Sequence, residues 1–150
     1  NVLSQNNEMW SDTEGKCEYE AFISSPPRVN LTAELVPWWD RYVARWGHDP
    51  LYTSLGAYDA LYTLKFGVER ANTTDSDAVV AALEGSERMT LMGRGGFTAY
   101  HDVLIKDPYP MNQHPDWVVP LIVQWRAGQR EVIFPFNRTY TKDFELPPWM

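Results

Sequence analysis

The stretch that most restricts how this chain can fold is residues 49–71, Asp-Pro-Leu-Tyr-Thr-Ser-Leu-Gly-Ala-Tyr-Asp-Ala-Leu-Tyr-Thr-Leu-Lys-Phe-Gly-Val-Glu-Arg-Ala. It reads as a turn with an aromatic at its tip, Tyr52, leading into a long helix that starts near Thr53 or Ser54. Ala57, Ala60, Leu61, Leu64, Val68 and Ala71 recur at three- and four-residue intervals and define one apolar face. Lys65 and Glu69 stand one turn apart elsewhere on the helix and can pair. Gly56, Ala57 and Ala60 are small enough for close approach to a neighbouring layer. A long helix of this kind needs a sheet or a second helix over it, and the residues before it offer few strands.

Other segments are punctuated by familiar signals. Residues 1–16 are polar and read as loop. Cys17–Ser25 alternates as a strand does, and Pro26-Pro27 ends it. A helix is predicted over Leu35–Trp46, with Pro37 in its first turn and Gly47 as its stop. Its buried face is expected to hold Trp38, Trp39, Tyr42, Val43 and Trp46. Asp75 or Ser76 caps a third helix that runs to Glu84 and Gly85, with Val79, Val80 and Leu83 inward. Residues 88–99 read as strand or irregular chain around Gly93, Gly95 and Gly96, and 102–117 as a Pro-rich loop. Residues 118–134 form the clearest hairpin, turning at Ala127-Gly128. The tail from Pro135 is expected to wrap a surface. The order is α/β with too few strands for a doubly wound sheet.

Composition excludes several functions. The net charge is −7, and no basic cluster is present, so nucleic acid is not an expected partner. Cys17 is the only cysteine. No internal disulfide or thiolate metal site follows from it, and His48, His101 and His114 lack ligand-like spacing. No metal or other cofactor is expected. No apolar run reaches membrane length. His101-Asp102 is the one pairing that could act as a general base with its orienter, in a small hydrolase. Neighbours in extended chain point to opposite faces, and no Gly-x-Ser-x-Gly element accompanies them. No catalytic residue is therefore assigned. Gly93-Arg94-Gly95-Gly96 lacks the Gly-Lys-Ser/Thr and helix of a phosphate loop and reads as a turn or bulge. Asn30, Asn72 and Asn137 open glycosylation-type triplets, which also arise by chance. Aromatics make up 14% of the residues, several in loops, where they can wall a ligand cleft.

Four blocks occur in a telling order. They are Trp38-Trp39-Asp40-Arg41-Tyr42-Val43-Ala44-Arg45-Trp46-Gly47 with Asp49-Pro50-x-Tyr52 and Ala57-Tyr58-Asp59-Ala60; Asp77–Glu84; Gly93-x-Gly95-Gly96-Phe97; and Val123-Gln124-Trp125-x-x-Gly128 with Val132-Ile133-x-Pro135. Together, over about residues 8–135, they resemble the C-terminal part of a type I periplasmic solute-binding protein of the branched-chain amino acid and amide class. The resemblance implies a partial fold with pieces of two α/β lobes, three main helices and a C-terminal hairpin. Residues 1–27 would be a second-lobe segment, 28–117 a first-lobe helical segment, and 118–150 the hinge hairpin and tail.

It also implies a non-catalytic protein outside the cytoplasm, in the periplasm or anchored at the membrane. Such a protein captures a small polar solute between its lobes and delivers it to an ABC permease. A ligand-sensing domain of a receptor or regulator would use the same fold. Members are more than twice this length, so an N-terminal portion is expected to be missing and to be a partner of this one. By the resemblance, Tyr52 and Thr53 are candidate cleft residues. Glu8 and Trp10 are the nearest candidates for the loop that holds an ammonium group in amino-acid binders.

Overall fold

The computed structural model describes residues 3–98, 100–104 and 115–150. In chain order they form a 3-10 turn at Leu3–Gln5, α1 (Met9–Asp12), β1 (Ala21–Ser24), α2 (Leu35–Trp46), α3 (Tyr52–Ala71) and α4 (Ser76–Glu84). These are followed by β2 (Glu87–Thr90), β3 (Gly93–Gly96), β4 (Leu121–Arg126) and β5 (Gln129–Phe134). The chain divides into two compact units, one of residues up to Tyr52 with Pro120–Met150, the other Thr53–Val119. The expected segment 28–117 is split by this division: 28–52 packs with the first unit.

The first unit is built on an antiparallel sheet in the order β1-β4-β5. Ala21 pairs with Gln124 and Ser24 with Leu121, and a bulge between Ile122 and Val123 shifts the β4–β5 register. The β4–β5 turn falls on Ala127 and Gly128, both at positive φ (49° and 79°), as a tight right-twisted hairpin requires. Leu121, Val123 and Trp125 point one way and are buried, together with Val132, Phe22, Leu35, Trp38 and Trp39. Gln124 points the other way and is buried too, because the tail crosses above it. Its amide nitrogen donates to the carbonyls of Tyr19 (3.1 Å) and Glu145 (2.8 Å), and its oxygen accepts from the Glu145 N–H (3.1 Å). Arg126 reinforces the strap through the Asp143 carbonyl (2.9 Å) and the Glu145 carboxylate.

The helix α2 has the predicted bounds, and Gly47 ends it in the left-handed conformation (φ 75°), donating to the Val43 carbonyl at 2.8 Å. Its buried face is narrower than expected. Leu35, Trp38 and Trp39 are inside, Tyr42 and Val43 are half-buried, and Trp46 is 57% exposed. Trp46 instead lies under the Arg45 guanidinium, 5.2 Å from its ring centre. The first sixteen residues are not plain loop: they hold the 3-10 turn and α1. The strand expected at Cys17–Ser25 is confined to Ala21–Ser24, because Tyr19 at φ 68° breaks the extended run.

In the second unit, α3 presents the opposite face from the one its apolar periodicity predicts. Leu55, Asp59 and Gly67 are buried, whereas Leu61 is 65% and Leu64 54% exposed. Two contacts set this rotation. The Asp59 carboxylate accepts the Leu91 N–H with both oxygens (2.9 and 3.2 Å) and so holds the β2–β3 connection to the helix. Gly67 lies against Leu83 of α4 so closely that a Cβ there would come within 2.8 Å of Leu83 Cγ. The side chain of Asp75 caps α4 by accepting the Ala78 N–H at 3.0 Å. Val79 is inward as expected, Leu83 is half-buried, and Val80 is exposed. The glycine run pairs as β3 with β2, Gly93 opposite Thr90 and Gly96 opposite Glu87, rather than forming only a turn. Lys65 and Glu69 pair at 2.8 Å. Most of the loop expected at 102–117, with His114, lies outside the described residues.

Candidate functional site

The first unit contains a polar cavity of about 250 Å³ lined by Asn7, Arg28, Trp39, Asp49, Trp125 and Arg130 among others. Its construction begins at Gly47. The left-handed stop of α2 turns the chain so that Asp49 comes back beside the helix, where Asp49 Oδ1 accepts the Trp39 indole N–H at 3.1 Å. Pro50, fully buried, fixes the next step. From the far side of the sequence, Arg130 on β5 donates through Nη1 to the Gln5 carbonyl and through Nη2 to Asn7 Oδ1, both at 2.7 Å. Asn7 spends its other amide end on the Asp49 carbonyl, at 3.1 Å. One side-chain amide thus ties the Arg130 corner to the Asp49 corner and leaves no choice about its own orientation.

Trp125 is buried under Arg130, its ring centre 5.8 Å from the guanidinium carbon, and its indole N–H donates to the Ser4 carbonyl at 3.0 Å. Arg28 reaches the cavity already matched, with a two-pronged bond to Asp40 (2.8 and 2.9 Å). Arg130 and Asp49 are different. None of the ion pairs among the described residues uses either of them. Burial pushes the Arg130 pKa below its ordinary value, and the charges of Asp49 and Glu8 push it back up.

The four residues singled out from sequence fall as follows. Trp10 is half-buried over the β4–β5 turn. A Cβ on Gly128 would stand 3.3 Å from its indole nitrogen and one on Gly15 3.3 Å from its six-membered ring, so both glycines make room for it. Its ring centre is 6.2 Å from that of Trp125. Glu8 is exposed at the start of α1 and acts on Arg130 through space. Neither Trp10 nor Glu8 is among the residues that line the cavity. Tyr52, 39% exposed, opens α3 three residues after Asp49, and exposed Thr53 follows it across the boundary between the units. Arg130 and Asn7 escaped sequence reasoning, although Arg130 is in phase with buried Val132 on β5, and a charge in an inward position is a readable signal.

A second cavity, of about 440 Å³, lies wholly within the second unit, between α3, α4 and the β2–β3 hairpin, with Leu64, Phe66, Leu83, Met92 and Phe97 in its walls. It is almost entirely apolar. The hydrolase alternative rests on His101 with Asp102. His101 Nε2 lies 2.8 Å from Glu84 Oε1, not on Asp102, and is largely exposed.

No protein-family model matches the sequence, and no curated protein matches it. Solved structures do. A protein assigned as a branched-chain amino acid ABC transporter from Silicibacter pomeroyi superposes with a TM-score of 0.77 at 18% identity. The overlap covers 98% of this chain and 39% of that one. The leucine-binding protein LivK from Thermotoga maritima gives 0.67 at 13% identity, over 86% of this chain and 34% of that one. This chain has part of the type I periplasmic-binding-protein fold. It spans well under half the length of either structure. No helix among the described residues is long and apolar enough to cross a membrane.

Proposed function

We propose that the chain is the C-terminal portion of the extracytoplasmic solute-binding component of an ABC importer for amino acids, amides or similar small polar solutes. The observation that carries this reading is the superposition of nearly the whole chain on a structure assigned to branched-chain amino acid transport. Solute held between two lobes would favour a closed state by touching both, and the closed form would dock on the membrane permease. Residues 1–27 would belong to the second lobe, 28–117 would contribute to the first, and 118–150 would supply the hinge hairpin and tail. Tyr52, Thr53, Trp10 and Glu8 are the proposed solute contacts.

The partner nearest at hand is the remainder of such a protein. Exposed Leu61, Tyr62 and Leu64 on α3 and the apolar cavity of the second unit offer the surface for it. A thermal-shift screen of amino acids, amides, urea and small carboxylates on the longer protein carrying this sequence tests the proposal. A cognate solute at a hundred times its Kd should add about 2.7 kcal/mol of stability. A screen in which no member raises the transition removes solute capture.

A further inference from the structure

Three asparagine triplets stand outside the solute-capture reading: Asn30-Leu31-Thr32, Asn72-Thr73-Thr74 and Asn137-Arg138-Thr139. Seven asparagines and seventeen serines and threonines in 150 residues make about one such triplet the chance expectation. None of the three has proline in the middle or directly after. All three asparagines are exposed and lie in irregular chain. Asn72 turns the chain between α3 and α4 at φ 53°, and Asn137 turns it shortly after β5 at φ 58°. Asparagine tolerates a left-handed corner better than most residues, so turn chemistry accounts for these two. It does not account for the threonine two places further on. The structure gives Thr32 a task, because its hydroxyl accepts the Leu35 N–H at 3.2 Å at the start of α2. Thr74 and Thr139 have no such task. Both are exposed, and neither their hydroxyls nor the side-chain amides of Asn72 and Asn137 make a hydrogen bond among the described residues.

We propose that Asn72 and Asn137 are acceptor sites for N-linked glycosylation, with the free hydroxyls of Thr74 and Thr139 as the elements that the transfer enzyme reads. The inference rests on the extracytoplasmic reading, because this modification belongs to exported chains. The donor is a lipid-linked oligosaccharide. The asparagine amide nitrogen bonds to the anomeric carbon of the first sugar, and the bond from that carbon to the lipid phosphate breaks. The amide gives up one proton, and nothing is oxidised or reduced. A bulky hydrophilic group at either corner displaces no native hydrogen bond of the asparagine. At Asn137 it would also lie next to Phe136, whose ring is 51% exposed. Asn30 is the internal contrast: the same triplet, but with its threonine already engaged by a helix start.

The test is peptide mapping by mass spectrometry of the longer protein carrying this sequence, purified from the cells that encode it after separation of extracytoplasmic from cytoplasmic fractions. Electron-transfer fragmentation should assign glycan mass to Asn72 and Asn137 and leave the Asn30 peptide bare. Thr74→Val and Thr139→Val remove one hydroxyl each and keep the asparagine at its corner. Each should abolish the glycan on its own asparagine only, whereas Thr74→Ser and Thr139→Ser should retain it. Circular dichroism confirms that the variants are folded. Bare Asn72 and Asn137 in exported protein would overturn the sites and leave export standing. Bare asparagines in protein confined to the cytoplasm would overturn the sites and the extracytoplasmic reading together. A glycan on Asn30 alone, or one that survives the valine substitutions, would also overturn the proposal.

Discussion

The two compact units solve the same problem, covering apolar surface with little sheet, in opposite ways. In the first, three strands bury Leu121, Val123 and Trp125 on one side, and the C-terminal tail closes the other side over Gln124. Every heavy polar atom of the Gln124 amide is bonded, so a group that costs free energy when buried bare becomes a fastener. In the second unit, one helix packs its less apolar face inward, on Asp59 and Gly67, and leaves Leu61 and Leu64 outside. The difference teaches that the first unit organises its core around a sheet and a tail strap, while the second is shaped by a few specific polar and steric contacts between its helices and its hairpin.

Breaking the sheet of the first unit should have the largest effect. Trp125→Ala removes a side chain that is 2% exposed and the indole donor to Ser4, and should destabilise the first unit by about 3–5 kcal/mol. Because the two units need not unfold together, hydrogen exchange of β4 and β5 amides is the suitable readout, and slow exchange preserved there would show that the sheet does not rest on this residue.

Next comes a paired test within α3. Gly67→Ala drives a methyl into Leu83 and should cost about 1–3 kcal/mol in the second unit. Gly56→Ala meets open space and should gain up to about 1 kcal/mol from helix propensity. Chemical denaturation of the two variants should therefore move in opposite directions. Equal shifts would mean that the α3–α4 contact is not what orients the helix.

The smallest effect concerns Asp59, whose pKa burial raises above the ordinary carboxylate value against the pull of the Leu91 N–H and Arg88. The native state then holds this proton more firmly than the unfolded chain. Its contribution is fully present below the unfolded pKa and is lost as pH rises through the folded one. Asp59→Asn lacks this loss, so the stability of the variant should improve relative to the parent as pH climbs through that window. A difference that does not change with pH would show that the carboxylate is not desolvated.

What could be read from the sequence follows the same division. The bounds of α2, the Asp75 cap of α4 and the Ala127-Gly128 turn were legible because each is written in local chemistry: a glycine stop, a capping carboxylate, a turn that needs positive φ. The burial of α3 was not, because periodicity counts apolar residues and cannot register one carboxylate that recruits the β2–β3 connection or one glycine that admits Leu83. The partial solute-binding fold was legible from four blocks in order, none of them diagnostic by itself. The polar cavity was not legible, because Arg130 and Asn7 are 123 residues apart and are joined only when β5 folds back over the N-terminal turn.

The tail strap has a consequence for self-recognition. The strand β5 is an outer strand, and an outer strand with open backbone groups can zip onto another molecule. Before it crosses above Gln124, the tail passes along β5, where the Lys142 N–H donates to the Val132 carbonyl at 2.8 Å. Pro147-Pro148 follow shortly after and can donate no backbone hydrogen. The last residues thereby act as a guard rail, and a chain shortened before Lys142 would offer a bare border on which copies could stack into ribbons.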